Sequence, residues 1–326
     1  MRAWVIGKLA DPKEALNLVE LPEPAIEPAK VKIQVKAVAL NFFDILQCQG
    51  KYQEKHPLPF TPGAEISGII SEVGAGSSFK TGQKVIAMPK LPDGGLADWV
   101  VVPDDAVYPI PDQMPFDTAA SLFITYHTSY YALHHRAKLQ PGEVLLVHAG
   151  SGGVGSAAIQ LGRAAGAKVI ATAGGPEKTQ ICRNLGAEIA IDYQSENFVE
   201  VVKEATEGRG ADVIYDPVGG DVFDHSRKCI AFGGRLLVIG FTGGRIADAP
   251  TNHALVKNYS IVGVHYGLFN KLKPEGAREI HNRLMQLYEE GDINPLIYKQ
   301  FPFEEVPQAL ERLGSRKTWG KLVTKL

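Results

Sequence analysis

A cluster of glycines near the middle of the chain has the composition and setting of a phosphate-binding loop. It follows a short apolar run at residues 144–148 and opens a stretch with helical periodicity; it reads Gly150-Ser151-Gly152-Gly153-Val154-Gly155. Glycines allow a tight turn and let backbone N–H groups approach a pyrophosphate, while the helix N-terminus adds a partial positive charge. The pattern G-x-G-x-x-G is weak alone, but here it stands between strand and helix, as the motif requires. We expect this loop to bind a dinucleotide; the alternative is a plain glycine-rich turn.

The residues after the next apolar run, 168–172, indicate which dinucleotide. NAD-dependent proteins usually end this second strand with Asp or Glu, which binds the ribose diol. Here the strand ends Ala171-Thr172-Ala173-Gly174-Gly175-Pro176, without a carboxylate that would repel a 2′-phosphate. Glu177 is expected beyond the turn, and Lys178 is placed to meet the phosphate. The sequence therefore predicts NADPH, with Gly174 and Lys178 at its phosphate end; Lys178 could instead be a solvated helix residue.

The elements that must position this loop alternate along the second part of the chain. Helical periodicity covers 117–135, and helices are also expected at 154–165 and 274–290. Strand-like runs recur at 189–191, 213–215, 235–239 and 260–264. Buried strands alternating with helices predict βαβ units, a parallel sheet and a doubly wound α/β domain.

The first part, to about Pro111, is rich in short strands, and the C-terminal tail returns to that pattern. Residues 31–38 alternate as a half-buried strand does, 66–73 and 84–87 are further strands, and only 41–47 suggests a helix. With 326 residues, two domains are the first expectation. We predict a cofactor domain at 120–294, inserted in a β-rich domain formed by 1–119 and 295–326.

Composition excludes several classes of partner. The formal net charge is −2, which favours neither nucleic acid nor an acidic tail. The three cysteines, Cys48, Cys182 and Cys229, are too few and too far apart for a disulfide framework or a CxxC metal pair. No apolar run reaches the length of a membrane span, and the N-terminus has no signal-peptide pattern. A cytoplasmic protein without nucleic-acid or membrane partners is the simplest expectation.

Segments over essentially the whole chain resemble one family. They are Asn41-Phe42-Phe43-Asp44, Gly50-Lys51-Tyr52, Pro59-Phe60-Thr61-Pro62-Gly63-Ala64-Glu65, Val73-Gly74, the loop from His148 to Gly155, Asp212-Val213-Ile214-Tyr215-Asp216 and the closing Gly320-Lys321. The chain is similar in these segments to the zinc-independent, zeta-crystallin-like quinone oxidoreductase branch of the medium-chain dehydrogenase/reductase superfamily.

The resemblance implies a GroES-like catalytic domain, a Rossmann cofactor domain and an active site in the cleft between them. It also implies a homodimer or homotetramer that pairs through the edge strand at 260–264. Zinc-dependent relatives carry a Cys at the position of Asn41, a His at that of Ala64 and a four-cysteine lobe near 89–98. This chain has none of these ligands, so both metal sites are expected to be absent.

Further cofactor contacts are implied residue by residue. Tyr193 matches a residue at the 2′-phosphate end of NADPH, and Arg316 matches a position that adds a second positive charge there, for which arginine is well suited. Thr128 matches a residue near the nicotinamide carboxamide, and Gly240 and Phe241 match the loop beside the nicotinamide. The alternatives are that Tyr193 is a core residue, Arg316 a surface residue and Thr128 an ordinary helix residue.

Two residues are candidates for the chemistry. Tyr52 matches a tyrosine implicated in proton donation by enoyl reductases, and its phenol stays protonated at neutral pH. Asn41 could hydrogen-bond substrate or hold the cofactor ribose. Alternatively, Tyr52 only packs against substrate or nicotinamide.

The resemblance favours reduction of a quinone or other small unsaturated carbonyl by NADPH. A 2-enoyl thioester or 2-alkenal reductase is the runner-up, and a nucleotide-binding protein with little turnover is the third reading.

Overall fold

The computed structural model describes residues 1–326, which form two compact units. Unit 1 comprises Met1–Ile124 and Pro295–Leu326, and unit 2 comprises Thr125–Asn294. The division predicted between residues 119 and 120 falls inside a helix, Phe116–Ala120, and the structure divides the chain after Ile124 instead. That helix stays with unit 1, where Ser67 Oγ donates a hydrogen bond to the Phe116 carbonyl.

Fifteen strands are present: β1 (Arg2–Ile6), β2 (Leu16–Glu20), β3 (Lys30–Leu40), β4 (Ile66–Val73), β5 (Lys84–Ala87), β6 (Trp99–Pro103), β7 (Val107–Pro109), β8 (Val144–Val147), β9 (Lys168–Ala173), β10 (Ile189–Asp192), β11 (Ala211–Asp216), β12 (Ile230–Val238), β13 (Ser260–Gly263), β14 (Ile297–Pro302) and β15 (Lys321–Lys325). The twelve α-helices are α1 (Pro12–Ala15), α2 (Phe42–Cys48), α3 (Phe116–Ala120), α4 (Thr128–Tyr130), α5 (Gly153–Ala164), α6 (Pro176–Asn184), α7 (Phe198–Ala205), α8 (Gly220–Ser226), α9 (Thr251–Lys257), α10 (Tyr266–Leu272), α11 (Pro274–Glu289) and α12 (Val306–Gly314). None of the helices is long and apolar enough to span a membrane.

Unit 1 is built on a sheet in the order β14-β15-β3-β4-β5-β7, with β6 also paired to β3 and a separate β1-β2 ladder. The alternation expected for 31–38 does not persist, because residues 37–40 of β3 are all buried. Ala37 and Ala39 pack in one cluster with Ala120 of α3, and Val38 and Leu40 belong to the larger core of unit 1, so both faces of this end of β3 are covered. Its Lys32 is buried because it pairs with Glu23 and Glu72.

Unit 2 contains a six-stranded parallel sheet in the order β10-β9-β8-β11-β12-β13. This is the doubly wound order of a dinucleotide-binding domain, so the predicted Rossmann sheet is confirmed. β8 lies at the point where the strand order reverses, so the loop after it opens at the carboxyl edge where such sheets bind ligands.

The helical periodicity of 117–135 does not give one continuous helix. The stretch contains α3, a π-helical segment at Phe123–His127, α4 and a second π-helical segment at Tyr131–Arg136. At the end of α3, Ser121 N–H and Leu122 N–H donate to carbonyls three residues back, Thr118 and Ala119. This tightening ends the helix, and the wider π turns that follow displace the helical register.

Candidate functional site

The glycine-rich loop connects β8 to α5 in unit 2, as the motif predicts. Gly150 N–H donates to the Thr172 carbonyl of β9 at 2.8 Å, which ties the loop to the neighbouring strand. His148, just before the loop, is buried between Thr172 Oγ1 (3.0 Å) and Ser226 Oγ (2.8 Å). Burial lowers the pKa of His148 to about 4, so its imidazole is neutral at physiological pH. The loop therefore begins next to a residue whose side chain is held by two hydrogen bonds and is uncharged.

Close packing explains why this loop consists of glycines. A Cβ at Gly155 would lie 2.2 Å from the Ala149 carbonyl oxygen, and one at Gly150 would lie 2.9 Å from Cys182 Sγ. The first turn of α5 can thus approach the loop only with glycine at position 155, and its N–H groups have no partners within the helix. Loop and helix N-terminus form a cradle that fits a pyrophosphate.

The second predicted contact region lies at the ends of β9 and β10. Tyr193 lies over Gly174, where a Cβ would approach the phenol oxygen to 2.6 Å, and the side chain of Tyr193 is 57% exposed. The neighbouring Asp192 is a carboxylate that the sequence analysis did not consider. Its Oδ1 accepts hydrogen bonds from Gly175 N–H (2.9 Å) and Gln194 N–H (3.0 Å). This carboxylate is therefore engaged by the backbone of the two turns.

The remaining cofactor candidates of unit 2 are also placed by the sheet. Lys178 lies in the first turn of α6, directly after the Gly174 turn, and is half-buried. Gly240 and Phe241 follow β12, and Phe241 is 42% exposed. Carboxyl ends of parallel strands meet at one edge, so these residues share an edge with the glycine-rich loop. Thr128 begins α4 and is half-buried.

Arg316, the predicted second cation, belongs to unit 1. It is exposed, lies between α12 and β15, and adopts a left-handed backbone with φ of 58°.

The chemical candidate Asn41 lies in unit 1 within a buried cluster that sequence reasoning did not foresee. Lys321 Nζ donates to Asn41 Oδ1 at 2.6 Å and forms an ion pair with Glu65 Oε2 at 3.0 Å. Asn41 Nδ2 donates to Glu65 Oε2 and to the Ala39 carbonyl, both at 3.2 Å. The Asn41 amide is thus fully engaged by the protein itself. We name Asn41, Asp44, Glu65 and Lys321 the buried polar cluster.

Asp44 completes this cluster. Its Oδ2 accepts the Asn41 N–H at 2.7 Å in a capping box at the start of α2, and its Oδ1 is buried with no partner. Burial raises the pKa of Asp44 to about 7; the Asn41 hydrogen bond and Lys321 oppose this effect, and Glu65 adds to it.

Tyr52, the other chemical candidate, follows α2. Tyr52 N–H donates to the Leu46 carbonyl at 3.2 Å, and its ring lies 5.5 Å from that of Phe43. The side chain is half-buried and lines a cavity of about 190 Å³ with Gln47, His56 and Phe60. Burial raises its pKa, with additions from Glu54 and Asp44. The phenol remains protonated at neutral pH and can donate a proton.

The donor set does not fit a zinc ion. No group of three or more His, Cys, Asp or Glu residues could hold a metal. At the position where zinc-dependent relatives would bind the metal, the carboxylate of Glu65 is neutralised by the Lys321 ammonium. Asn41 offers an amide there, whereas zinc requires thiolate, imidazole or carboxylate. All three cysteines are free and buried.

Comparisons with known proteins agree with this architecture. Residues 27–112 match the family model of the alcohol dehydrogenase GroES-like domain, and residues 153–282 match that of zinc-binding dehydrogenases. The quinone oxidoreductase-like protein 2 homolog of Nematostella vectensis is 42% identical over 90% of this chain and 81% of its own length.

Two solved structures cover nearly all of the chain. The quinone oxidoreductase of Escherichia coli complexed with NADPH superposes with a TM-score of 0.92 at 30% identity, covering 100% of both chains. The CurK enoyl reductase superposes with a TM-score of 0.89 at 29% identity, covering 99% of this chain and 98% of its own. The chain belongs to the quinone oxidoreductase family of the medium-chain dehydrogenase/reductase superfamily.

Proposed function

We propose that the protein is an NADPH-dependent oxidoreductase that reduces a quinone or another small unsaturated carbonyl compound. The observation that carries this function is the cradle between β8 and α5, where a Cβ at Gly155 would lie 2.2 Å from the Ala149 oxygen. The relatives named quinone oxidoreductase, one of them solved with NADPH, support the same conclusion.

A preference for NADPH over NADH is supported by the turn after β9. Gly174 carries no side chain, and the Asp192 carboxylate accepts hydrogen bonds from the backbone of Gly175 and Gln194. The exposed Tyr193 ring offers a surface for the adenosine end of the cofactor. We assign Lys178 and Arg316 to the 2′-phosphate, because positive side chains are needed to compensate its charge. Thr128, Gly240 and Phe241 are proposed at the nicotinamide end.

The chemistry is the transfer of one hydride, which carries two electrons, and the addition of one proton. When bound, NADPH supplies hydride, and the protein supplies orientation and a proton. For an unsaturated carbonyl, hydride adds to the β-carbon and a proton to the α-carbon. Tyr52 is the proposed proton donor, since burial favours the neutral phenol. After hydride transfer a quinone can take its one further proton from water, so its reduction depends less on Tyr52. Asn41 is proposed to shape this site from within the buried polar cluster.

Reduction is proposed to be independent of zinc. The reason is the chemistry of the side chains, because the Lys321 ammonium already compensates the charge of Glu65 and no thiolate or imidazole accompanies these two residues. Elemental analysis of the purified protein and turnover after treatment with a chelator test this proposal. Stoichiometric zinc whose removal abolishes turnover would refute it.

Reduction of a 2-enoyl thioester or 2-alkenal is the second candidate function, favoured by the likeness to the CurK enoyl reductase. A nucleotide-binding protein with little turnover is the third. The test is NADPH consumption with a simple quinone and a 2-enoyl-CoA side by side. Turnover of the quinone supports the leading function, and turnover of the enoyl thioester alone supports the second. Tight NADPH binding with neither acceptor reduced would leave only the third.

A homodimer that pairs through β13 is also proposed. This strand lies at the sheet edge, where unpaired backbone groups invite a partner. Phe232 on the neighbouring strand β12 is 81% exposed, Leu255 and Val256 of α9, just before β13, are 80% and 82% exposed, and α9 has no buried residue. Light scattering should show a dimer that Val256→Glu dissociates and that Leu18→Glu, a control in unit 1, leaves intact. A monomeric wild type would refute the proposal.

The cytoplasm is the proposed compartment, since three free buried cysteines suit a reducing environment. Cell fractionation tests it, and recovery of the protein in an oxidising compartment would contradict it.

A further inference from the structure

The buried polar cluster contains charges that a packing role alone would not require. The side chains of Lys321 and Glu65 are 5% and 0% exposed. Removing two charges from water is unfavourable, and apolar residues of similar volume often stabilise a fold at least as well. Asp44 adds a second carboxylate with no cation of its own, and burial raises its pKa to about 7. The ammonium of Lys321 therefore stabilises two carboxylic groups, those of Glu65 and Asp44.

Strand register explains how these residues meet. Leu322 pairs with Leu40, so Lys321 at the start of β15 lies beside Asn41, the residue just after β3. Ala39 N–H donates to the Glu65 carbonyl at 3.1 Å, which places Glu65 on the other side of β3. Gly320 permits this arrangement, because it has φ of 54° and a Cβ there would lie 2.2 Å from the Leu296 oxygen. The cluster is thus built from three adjacent strand ends.

The ammonium determines which way the Asn41 carboxamide faces. Lys321 can only donate, so Asn41 must present Oδ1 to it, and Nδ2 then donates to Glu65 and Ala39. Glu65 is held in turn by Ile124 N–H, which donates to its Oε1 at 2.7 Å. The Asn41 carboxamide is therefore held in a single orientation.

Asn41 is connected to Tyr52 through α2. It is the residue before the helix, and its backbone N–H is capped by Asp44. At the other end, Lys51 N–H and Tyr52 N–H both donate to the Leu46 carbonyl, at 2.8 and 3.2 Å. The Phe43 ring packs against that of Tyr52. Asn41 and Tyr52 are thus joined by one short helix of seven residues that is hydrogen-bonded at both ends.

We propose that Lys321 is a positioning residue for reduction, which acts through Asn41 and α2 on the placement of Tyr52 and does not itself touch the substrate. This inference rests on the proposed function. Glu65 holds the ammonium in place.

The test compares Lys321→Met with the double variant Lys321→Met/Glu65→Gln and with the control Lys325→Met, an exposed lysine on the same strand. In Lys321→Met two buried carboxylic groups lose their cation, so both the melting temperature and kcat fall. The double variant restores charge balance and keeps an acceptor for Ile124 N–H. The amide introduced by Glu65→Gln can donate, however, so the Asn41 carboxamide is no longer held in one orientation.

The expected result is that the double variant recovers thermal stability while kcat for the enoyl substrate stays about 10- to 100-fold low, the range expected when a reacting group is misplaced. The NADPH dissociation constant should be unchanged. Recovery of kcat together with stability would show a merely structural role and overturn the inference. Wild-type kcat in Lys321→Met would overturn it as well.

A second readout does not need turnover. With carbon-13-labelled tyrosine, the Tyr52 resonance, assigned with Tyr52→Phe, should move in the double variant and not in Lys325→Met. A wild type that reduces no acceptor refutes the proposed function, and this resonance then decides the inference. An unmoved resonance in the double variant would overturn the inference even where the enzyme is active. Lys321→Arg, which keeps a donor, supplies a folded comparison if Lys321→Met fails to fold.

Discussion

The cradle between β8 and α5 predicts a specific effect of the substitution Gly155→Ala. The new Cβ would lie 2.2 Å from the Ala149 oxygen, whereas ordinary contact begins at 3.4 Å, so loop and helix must separate by about 1.2 Å. Overpacking of this kind costs about 1–3 kcal/mol. The greater helix propensity of alanine offsets up to about 1 kcal/mol of that cost.

If the folded protein keeps α5 and displaces the loop, the remaining cost of up to about 2 kcal/mol, a factor of up to about 30, is lost from NADPH affinity. Fluorescence titration at fixed salt measures the dissociation constant, and a melting curve shows whether stability falls as well. The matched control is Gly267→Ala, in α10, where a Cβ meets no atom within 4 Å. If Gly155→Ala is as stable and binds NADPH as tightly as Gly267→Ala, the loop is not the close-packed cradle described.

Three further predictions concern specificity, chemistry and pH. Lys178→Ala combined with Arg316→Ala should weaken NADPH far more than NADH, measured as two dissociation constants; equal losses would remove both residues from phosphate recognition. Tyr52→Phe should slow reduction of an enoyl thioester about 100-fold or more and of a quinone much less, since general acid catalysis contributes about 10²–10⁴-fold; two unchanged rates would exclude it as the acid. The pKa of His148 is lowered to about 4, so its contribution to stability is complete above about 6.5 and is lost as pH falls towards 4. The free energy of unfolding should fall by about 3 kcal/mol over this pH window. Urea unfolding of His148→Gln should not show this fall. Asp44, whose pKa is raised to about 7, changes the stability in the opposite direction in both proteins.

The sequence sufficed for the parts of the fold that depend on local patterns. The glycine-rich loop, the apolar runs on either side and the change from strand-rich to alternating pattern led to the fold class, which the structure confirms. The stretch 117–135 was harder, because π turns keep apolar residues at near-helical spacing while the hydrogen-bonding pattern changes. The chain crosses from unit 1 to unit 2 within the same stretch, so the predicted domain boundary lies before the boundary in the structure.

The site was less accessible to sequence reasoning wherever it depends on strand register. Glu65 and Lys321 were visible as residues of family segments, but nothing in their spacing says that they meet, since 256 positions separate them. Asp192 was missed because it is the last residue of β10, whereas the prediction for NADPH depended on the end of the second strand, β9. A charged residue at the end of an apolar strand is the signal that could have identified all three as partners of buried or backbone groups.

We propose that this protein transfers hydride from NADPH to a small acceptor without a metal. The most direct measurement is a single-turnover reaction of chelator-treated protein, followed by the loss of NADPH absorbance after mixing with a quinone. We predict one equivalent of hydroquinone per NADPH and a slower reaction when the transferable hydrogen of NADPH is deuterium. Absence of quinone-dependent oxidation, or its appearance only after zinc is added back, would contradict the account.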